Sequence, residues 1–232
     1  MNKLSRLAAV WLPLAAAGAG AQSFCASDGL AQPTALLERF ISADCQSCWS
    51  DSRTPAPGRR DLALDWIVPG SRGDDAPLSA AASRDSLARL RATGRQAPDR
   101  ADSSRTPARS GQRRLRVAHG LPFNDYVGAS IQLKPGGGGP WRAWLLLVET
   151  IPAGTEGTPV ERNLVRNAFQ PSWPAAPAQS KQAARQLLES RPMRIPDGAN
   201  PQRLRVVGWV EDGQGRITAI AQSRCTAVAG KG

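Results

Sequence analysis

Two cysteines three positions apart, Cys45 and Cys48, constrain this chain more than any other feature. They come directly after residues 35–42, an apolar run with the composition of a buried strand. Thiols with this spacing at the start of a helix lie close enough to form a disulfide. The pattern predicts a strand, a Cys-x-x-Cys turn and a short helix. It indicates a fold more firmly than it indicates a function.

The first 21 residues have the features of a signal peptide. Lys3 and Arg6 form a short positive region, residues 7–17 are largely apolar, and Ala19-Gly20-Ala21 supplies small residues before a cleavage site. A membrane anchor is the alternative, but about 11 apolar residues are fewer than the roughly 20 that span a bilayer. We expect cleavage after Ala21 and export to the periplasm or the medium. No later stretch is apolar enough to predict a membrane span.

All the cysteines lie beyond this cleavage point: Cys25, Cys45, Cys48 and Cys225. An even number of cysteines in an exported chain favours disulfides, and three pairings are possible. Pairing Cys45 with Cys48 leaves Cys25 with Cys225, which would join the mature N-terminus to the last predicted strand. The alternative for the terminal pair is two unpaired thiols.

The chain carries a formal net charge of +11, and almost all of its positive charge comes from arginine. Residues 84–116 are especially rich in arginine and contain few acids. Such a segment could bind nucleic acid or an anionic envelope polymer. However, no aromatic residue lies between these arginines to stack on bases. We therefore expect a solvated helix and loop, and we do not expect nucleic-acid binding.

The N-terminal part, residues 22–111, has the pattern of an α/β unit. Residues 35–42 and 61–68 predict strands, and residues 78–93 predict a helix with one apolar face. A strand, a Cys-x-x-Cys motif, a strand and a helix in this order are the layout of a thioredoxin-type unit. Residues 97–111 show no periodicity and predict a long loop or a domain boundary.

The C-terminal part, residues 112–228, has a β-type pattern. Short apolar runs separated by turn residues predict strands at 115–118, 126–133, 141–151, 164–169, 204–211 and 217–223. Residues 212–215 predict a hairpin turn between the last two strands. A weak helical pattern is confined to residues 181–188, and residues 136–139 predict a flexible glycine loop. Such a series is typical of an antiparallel sheet or sandwich.

Several of these segments resemble the exported, thioredoxin-like domain of unknown function 1223 family of proteobacteria. The resemblance rests on residues 35–42 running into Cys45-Gln46-Ser47-Cys48, and on residues 141–144, 163–166 and 206–212 in the same order. It covers most of the mature chain. It implies a thioredoxin-like N-terminal unit followed by an antiparallel, sandwich-like half, and it brings no established activity.

Two departures from a thioredoxin-type site concern its redox chemistry. A long helix normally follows the cysteine pair, and its N-terminal dipole lowers the pKa of the first cysteine. Here Pro55 and Pro57 limit that helix to two turns at most, so its dipole should be weak. Such a site also has a cis-proline facing the disulfide, for which Pro107, after Thr106, is the one candidate.

Two functions follow from these residues. In the favoured one, an exported protein with a binding or structural role carries a structural disulfide between Cys45 and Cys48, and its partner is an unidentified envelope protein or ligand. In the alternative, a thiol–disulfide oxidoreductase uses Cys45 to attack a substrate disulfide, Cys48 to resolve the intermediate and Pro107 to shape the groove. We expect no cofactor. We also expect no metal site, because His119 is the only histidine.

Overall fold

The computed structural model of the protein describes residues 25–109, 113–134, 138–175 and 187–225. The described residues form mainly β-strands. The strands, numbered in chain order, are β1 Cys25–Ala26, β2 Ala35–Ser42, β3 Asp61–Val68, β4 Ala101–Pro107, β5 Arg114–His119, β6 Tyr126–Lys134, β7 Trp141–Ile151, β8 Arg162–Phe169, β9 Ser172–Trp173, β10 Leu187–Arg194, β11 Leu204–Glu211, β12 Ile217–Gln222 and β13 Arg224–Cys225. The α-helices are α1 Gln46–Trp49 and α2 Arg84–Ala92. Short 3-10 helices occur at Gly73–Asp75, Ser79–Ala81 and Pro201–Arg203.

The larger of two sheets has the strand order β12-β11-β7-β8-β3-β2-β4, with β9 paired to β7. Strand β3 is parallel to β2 and to β8, and the other pairs are antiparallel. All eight residues of β2 are buried, as expected for a strand covered on both faces. Strands from both predicted units, residues 22–111 and 112–228, therefore join in one sheet.

The smaller sheet has the order β10-β6-β5-β1-β13 and is antiparallel throughout. Strands β5 and β6 place Val117 and Ile131 in a core shared with β7 and β11 of the larger sheet. The sheets approach each other closely at Gly208, where an added Cβ would lie 2.8 Å from Ile131 Cδ1 and 2.9 Å from Val117 Cγ1. A side chain at this position would therefore force the sheets apart.

A second core forms in the larger sheet beneath α2. Leu90 of α2 belongs to the same buried cluster as Trp66, Trp144 and Trp209, which come from β3, β7 and β11. Trp144 and Trp209 stack with ring centroids 5.5 Å apart, and Trp66 meets Trp144 edge to face at 6.4 Å. The packing joins residues from distant parts of the chain beneath α2.

The structure confirms the β-rich character and most predicted strands, including 35–42, 61–68, 141–151 and 204–211 with the same bounds. It also confirms the hairpin turn at 212–215, where Gly215 N donates to Asp212 O at 2.9 Å. A thioredoxin-like fold for the N-terminal unit stays a prediction. The predicted signal peptide lies outside the described residues, as do residues 136–137 of the glycine loop predicted at 136–139. Among the described residues, no helix is long and apolar enough to cross a membrane.

Three predictions need correction. The helix predicted from residue 78 begins at Arg84, because Ser83 is extended and its Oγ accepts a hydrogen bond from Asp85 N. Part of the predicted loop at 97–111 is the strand β4, whose backbone pairs with β2. Residues 187 and 188 belong to β10 and not to a helix, while 181–186 lie outside the described residues.

Candidate functional site

The Cys-x-x-Cys turn lies at the carboxyl end of β2. Cys45 and Cys48 form a disulfide, with their Cα atoms 5.3 Å apart and with residue exposures of only 6% and 8%. The helix α1 ends after one turn at Trp49, in agreement with the predicted shortening before Pro55. Cys45 is the N-cap residue, and its side chain makes no capping hydrogen bond. The disulfide is therefore buried, and the helix that follows Cys45 is only one turn long.

Arg162, the first residue of β8, holds the far end of this turn. Its Nη2 donates to the carbonyl oxygens of Cys48 at 3.3 Å and of Trp49 at 2.7 Å. Its guanidinium also lies 5.1 Å from the centroid of the Trp49 ring. A charged donor thus satisfies the carbonyls that a helix end leaves without partners. This side chain therefore attaches the end of the disulfide turn to β8 of the larger sheet.

Asp65 of β3 supplies the counter-charge beneath the turn. Its Oδ1 accepts from Arg162 Nη1 at 3.1 Å, and its Oδ2 accepts from Arg39 Nη2 at 2.6 Å and from Asn163 N at 2.8 Å. Burial lowers the pKa of Arg162, and the attraction of Asp65 opposes that shift. One carboxylate is therefore shared by two buried guanidinium groups, which leaves this cluster with a net positive charge.

A cleft of about 450 Å³ opens beside the disulfide. Cys48 lines it, together with four arginines from separate segments: Arg39, Arg53, Arg100 and Arg162. Two acids also line the cleft, and each already has an arginine partner: Asp51 pairs with Arg53 and Asp102 pairs with Arg95. Hydrogen bonds from Arg53 lower the pKa of Asp51, which keeps it ionised.

Two arginines of the cleft have hydrogen-bonding capacity left. Arg100 donates to Ser47 Oγ at 3.3 Å and has no carboxylate within ion-pair distance in the part of the chain that the structure describes. Arg39 is 3% exposed, and its Nε has no hydrogen-bond partner among the described residues. A buried guanidinium nitrogen without an acceptor is costly. The exposed guanidinium of Arg100 is the group that an anion in the cleft would reach and pair with.

Pro107 does not lie beside the disulfide. It pairs with Ala35 at the start of β2, whereas the cysteines follow the end of that strand. Seven residues of extended chain separate the two ends by roughly 23 Å. The segment of β4 near the motif is its start, where Ala101 pairs with Ile41 and Ser42 N donates to Arg100 O at 2.7 Å. The position expected for the proline is occupied by this segment.

The second disulfide joins Cys25 to Cys225 between β1 and β13. The same strand β1 pairs with β5 on its other side, and there Cys25 lies opposite His119. His119 is 4% exposed, and its Nδ1 lies 2.8 Å from Gly120 O. The structure thus brings the only histidine to the terminal disulfide and keeps it away from the Cys-x-x-Cys cleft.

No family model, no curated protein and no solved structure matches this chain. The resemblance described above therefore stays a proposal, and the chemistry of the cleft is inferred from its own geometry.

Sequence reasoning missed the arginines and the acid that build the site. Arg39 and Asp65 are charged residues within largely apolar strands, and a charge at a buried strand position is a signal for an ion pair. The role of Arg162 is not visible in the sequence around it, because its partner Trp49 lies 113 residues away in the chain. Arg100 lies within the arginine-rich residues 84–116, for which the sequence predicts a solvated helix and loop.

Proposed function

We propose that this protein is an exported binding protein with a thioredoxin-like N-terminal unit, in which the Cys45–Cys48 disulfide is structural and the adjoining cleft binds an anionic ligand. One observation carries the structural role of the disulfide: the buried guanidinium of Arg162 bonds to both carbonyls at the end of the cysteine turn. A turn fixed in this way is suited to shaping a binding site.

The environment of the cysteines supports this choice. Thiol–disulfide exchange needs an accessible sulfur and a stabilised thiolate. Both cysteines are buried, and a helix of one turn offers only a weak dipole. Because Arg162 holds the turn in place, the disulfide is better suited to lining the cleft than to exchange with a substrate disulfide.

The charges of the cleft support an anionic ligand. Its acids are already paired with arginines, while Arg100 has no carboxylate partner and Arg39 Nε has no acceptor within the described ranges. Guanidinium groups bind carboxylates and phosphates through directed, paired hydrogen bonds. The class of ligand that fits is therefore a small carboxylate or phosphate, or such a group on a larger partner.

Titration of the purified protein with inorganic phosphate and with succinate, by calorimetry at low salt, tests the anion site. We expect binding that weakens at least tenfold in Arg100→Gln. Arg91→Gln is the matched control, since Arg91 is exposed on α2 and does not line the cleft. If neither anion binds, or if both variants weaken binding equally, the proposed anion site is wrong.

Export is tested separately on the protein recovered from the envelope fraction of an expressing bacterium. Cleavage after Ala21 predicts that N-terminal analysis begins at Gln22. Recovery of a chain that still starts at Met1 would contradict the exported role.

One observation favours the alternative, a thiol–disulfide oxidoreductase: Cys48 itself lines the arginine-rich cleft. Nearby cations would stabilise a thiolate after reduction. If the pair is catalytic, Cys48→Ser should trap mixed disulfides through Cys45, and the double serine variant should trap none. Cys45→Ser is also tested, because it leaves Cys48, the cysteine that borders the cleft, as the free thiol. Adducts on either single variant would favour the oxidoreductase over the structural role.

A further inference from the structure

The three strands β5, β1 and β13 bring together the side chains of His119, Cys25 and Cys225. Cys25 lies directly opposite Cys225 on one side and opposite His119 on the other. The two sulfur atoms and a ring nitrogen of His119 all lie within 4.8 Å of one another. Three potential metal ligands thus converge across neighbouring strands at one point of the smaller sheet.

The hydrogen bonding of His119 favours a ligand role. A carbonyl oxygen can only accept, so the 2.8 Å contact with Gly120 O assigns the ring proton to Nδ1. Nε2 is then left with its lone pair, and it is buried without a hydrogen-bond partner in the described part of the chain. Histidine ligands commonly have their other ring nitrogen bonded to a carbonyl in this way. The histidine is already in the tautomer that a metal ligand requires.

We propose that reduction of the Cys25–Cys225 disulfide creates a three-ligand site for Cu(I), formed by the two thiolates and His119. Thiolate and imidazole ligands select soft cations such as Cu(I) and also bind Zn²⁺. Three protein ligands leave a structural zinc site incomplete, because such sites have four. Cu(I) is therefore the favoured occupant, and Zn²⁺ is a competing outcome of the test.

The redox step balances with a dithiol reductant. The reductant gives two electrons and two protons to the sulfur–sulfur bond and becomes a cyclic disulfide, while Cys25 and Cys225 become thiols. Binding of Cu(I) then displaces the two thiol protons. Cys225 is exposed whereas Cys25 is buried, so an attacking thiolate can reach the bridge at Cys225.

The other cysteine pair provides an internal control. Among the described residues, Cys45 and Cys48 belong to no group of three or more histidine, cysteine and acidic ligands that could hold a metal ion. A Cys45→Ser/Cys48→Ser variant therefore retains the proposed site and removes the competing thiols. All measurements are made in this background.

The test is an anaerobic titration of this variant, reduced with dithiothreitol and desalted, with Cu(I) buffered by bicinchoninate. We expect one equivalent of Cu(I), no uptake by the oxidised protein, and affinity at least tenfold lower in the added His119→Gln variant. Equal affinity with and without His119, or a site that takes Zn²⁺ in preference to Cu(I), would overturn the proposal.

A second measurement keeps the proposal testable if His119→Gln does not fold. Bound Cu(I) should slow alkylation of Cys25 and Cys225 by iodoacetamide at least tenfold, as mapped by mass spectrometry on the reduced parent variant. Unchanged alkylation of both thiols in the presence of one equivalent of Cu(I) would show that they are not its ligands.

Discussion

Arg89 of α2 and Glu38 of β2 form a bidentate ion pair in the interior of the protein, with Nε–Oε1 and Nη2–Oε2 distances of 2.8 Å each. Arg89 is 2% exposed, and its Nη1 also donates to Glu211 Oε1 at 2.6 Å. Burial lowers the pKa of Arg89, but the two carboxylates outweigh this and raise it. The guanidinium further lies 4.8 Å from the Trp209 ring centroid. One side chain thus connects α2 with β2 and β11, which lie next to the two edge strands of the larger sheet.

Replacing Arg89 with methionine should destabilise the protein strongly. The variant would leave Glu38 and Glu211 as buried carboxylates without their guanidinium, and breaking such a pair typically costs about 3 to 5 kcal/mol. Urea unfolding at neutral pH measures the loss. Arg91→Met on the exposed side of the same helix is the control and should change stability by less than about 0.5 kcal/mol. Equal small losses for both variants would show that the buried network contributes little.

Replacing Cys45 and Cys48 together with serine should cost only about 1 to 2 kcal/mol, because the bridge closes a very short loop. The contacts of Arg162 with the backbone of the turn do not require the disulfide and should persist. Comparison of the urea midpoints of the oxidised parent and the variant gives the difference. A loss above about 4 kcal/mol would mean that the bridge holds more of the fold than its own turn.

Replacing Cys25 and Cys225 with serine should be much more damaging. This bridge spans 200 residues, and the chain-entropy relation gives a stabilisation of up to about 5 kcal/mol for a loop of that length. We expect the double variant to unfold at clearly lower urea than the Cys45→Ser/Cys48→Ser variant. Native strain subtracts from the full figure, so the ranking of the two variants is the decisive result. The reverse ranking would contradict the entropic account.

Gly208 should not tolerate alanine, because the added methyl would collide with Val117 and Ile131 of the smaller sheet. Overpacking of this kind typically costs about 1 to 3 kcal/mol. Gly128, in β6, is the matched strand glycine, and a Cβ there would meet no atom within 4 Å. Thermal unfolding should therefore show a clear loss for Gly208→Ala and little change or a small gain for Gly128→Ala.

The sequence predicted those elements whose own residues carry the signal. Strand β7 is a long apolar run ended by turn residues, so both of its bounds were predictable. Strand β4 was missed because it is an edge strand with no fully buried residue, and its side chains follow no alternation. Its existence depends on the backbone of β2, and a neighbour 60 residues away in sequence is not visible in a local pattern.

The same distinction applies to the two candidate sites. The Cys45–Cys48 bridge was predictable from spacing, and the Cys25–Cys225 bridge followed by elimination. The placement of Pro107 was not predictable, because the register of β4 against β2 decides which end of the strand it occupies. Nor could the spacing of a single histidine reveal that His119 lies opposite Cys25.

Asp85, in the first turn of α2, provides a test of pH dependence. Burial raises its pKa above the ordinary 3.8. Its hydrogen bonds with Ala168 N and with the side chain of Ser83 oppose this shift. The folded protein therefore holds this proton more tightly than the unfolded chain. A carboxyl group with a raised pKa favours folding at low pH, and its contribution is lost as the pH rises from the unfolded value through the folded one.

Asp85→Asn should remove this dependence, because an asparagine oxygen can still accept the 3.0 Å hydrogen bond from Ala168 N. The free energy of unfolding of the native protein should fall relative to that of the variant as the pH rises from about 3 toward neutrality. The relative slope should stay well below the one-proton limit of about 1.4 kcal/mol per pH unit, since the side chain is only half-buried and partly screened. The helix dipole favours the ionised carboxylate and therefore acts against the effect of burial, which reduces the slope further. Urea unfolding of both proteins at several pH values measures the difference between their free energies of unfolding. If the native protein instead gains stability relative to Asp85→Asn as the pH rises, hydrogen bonding outweighs burial at this position.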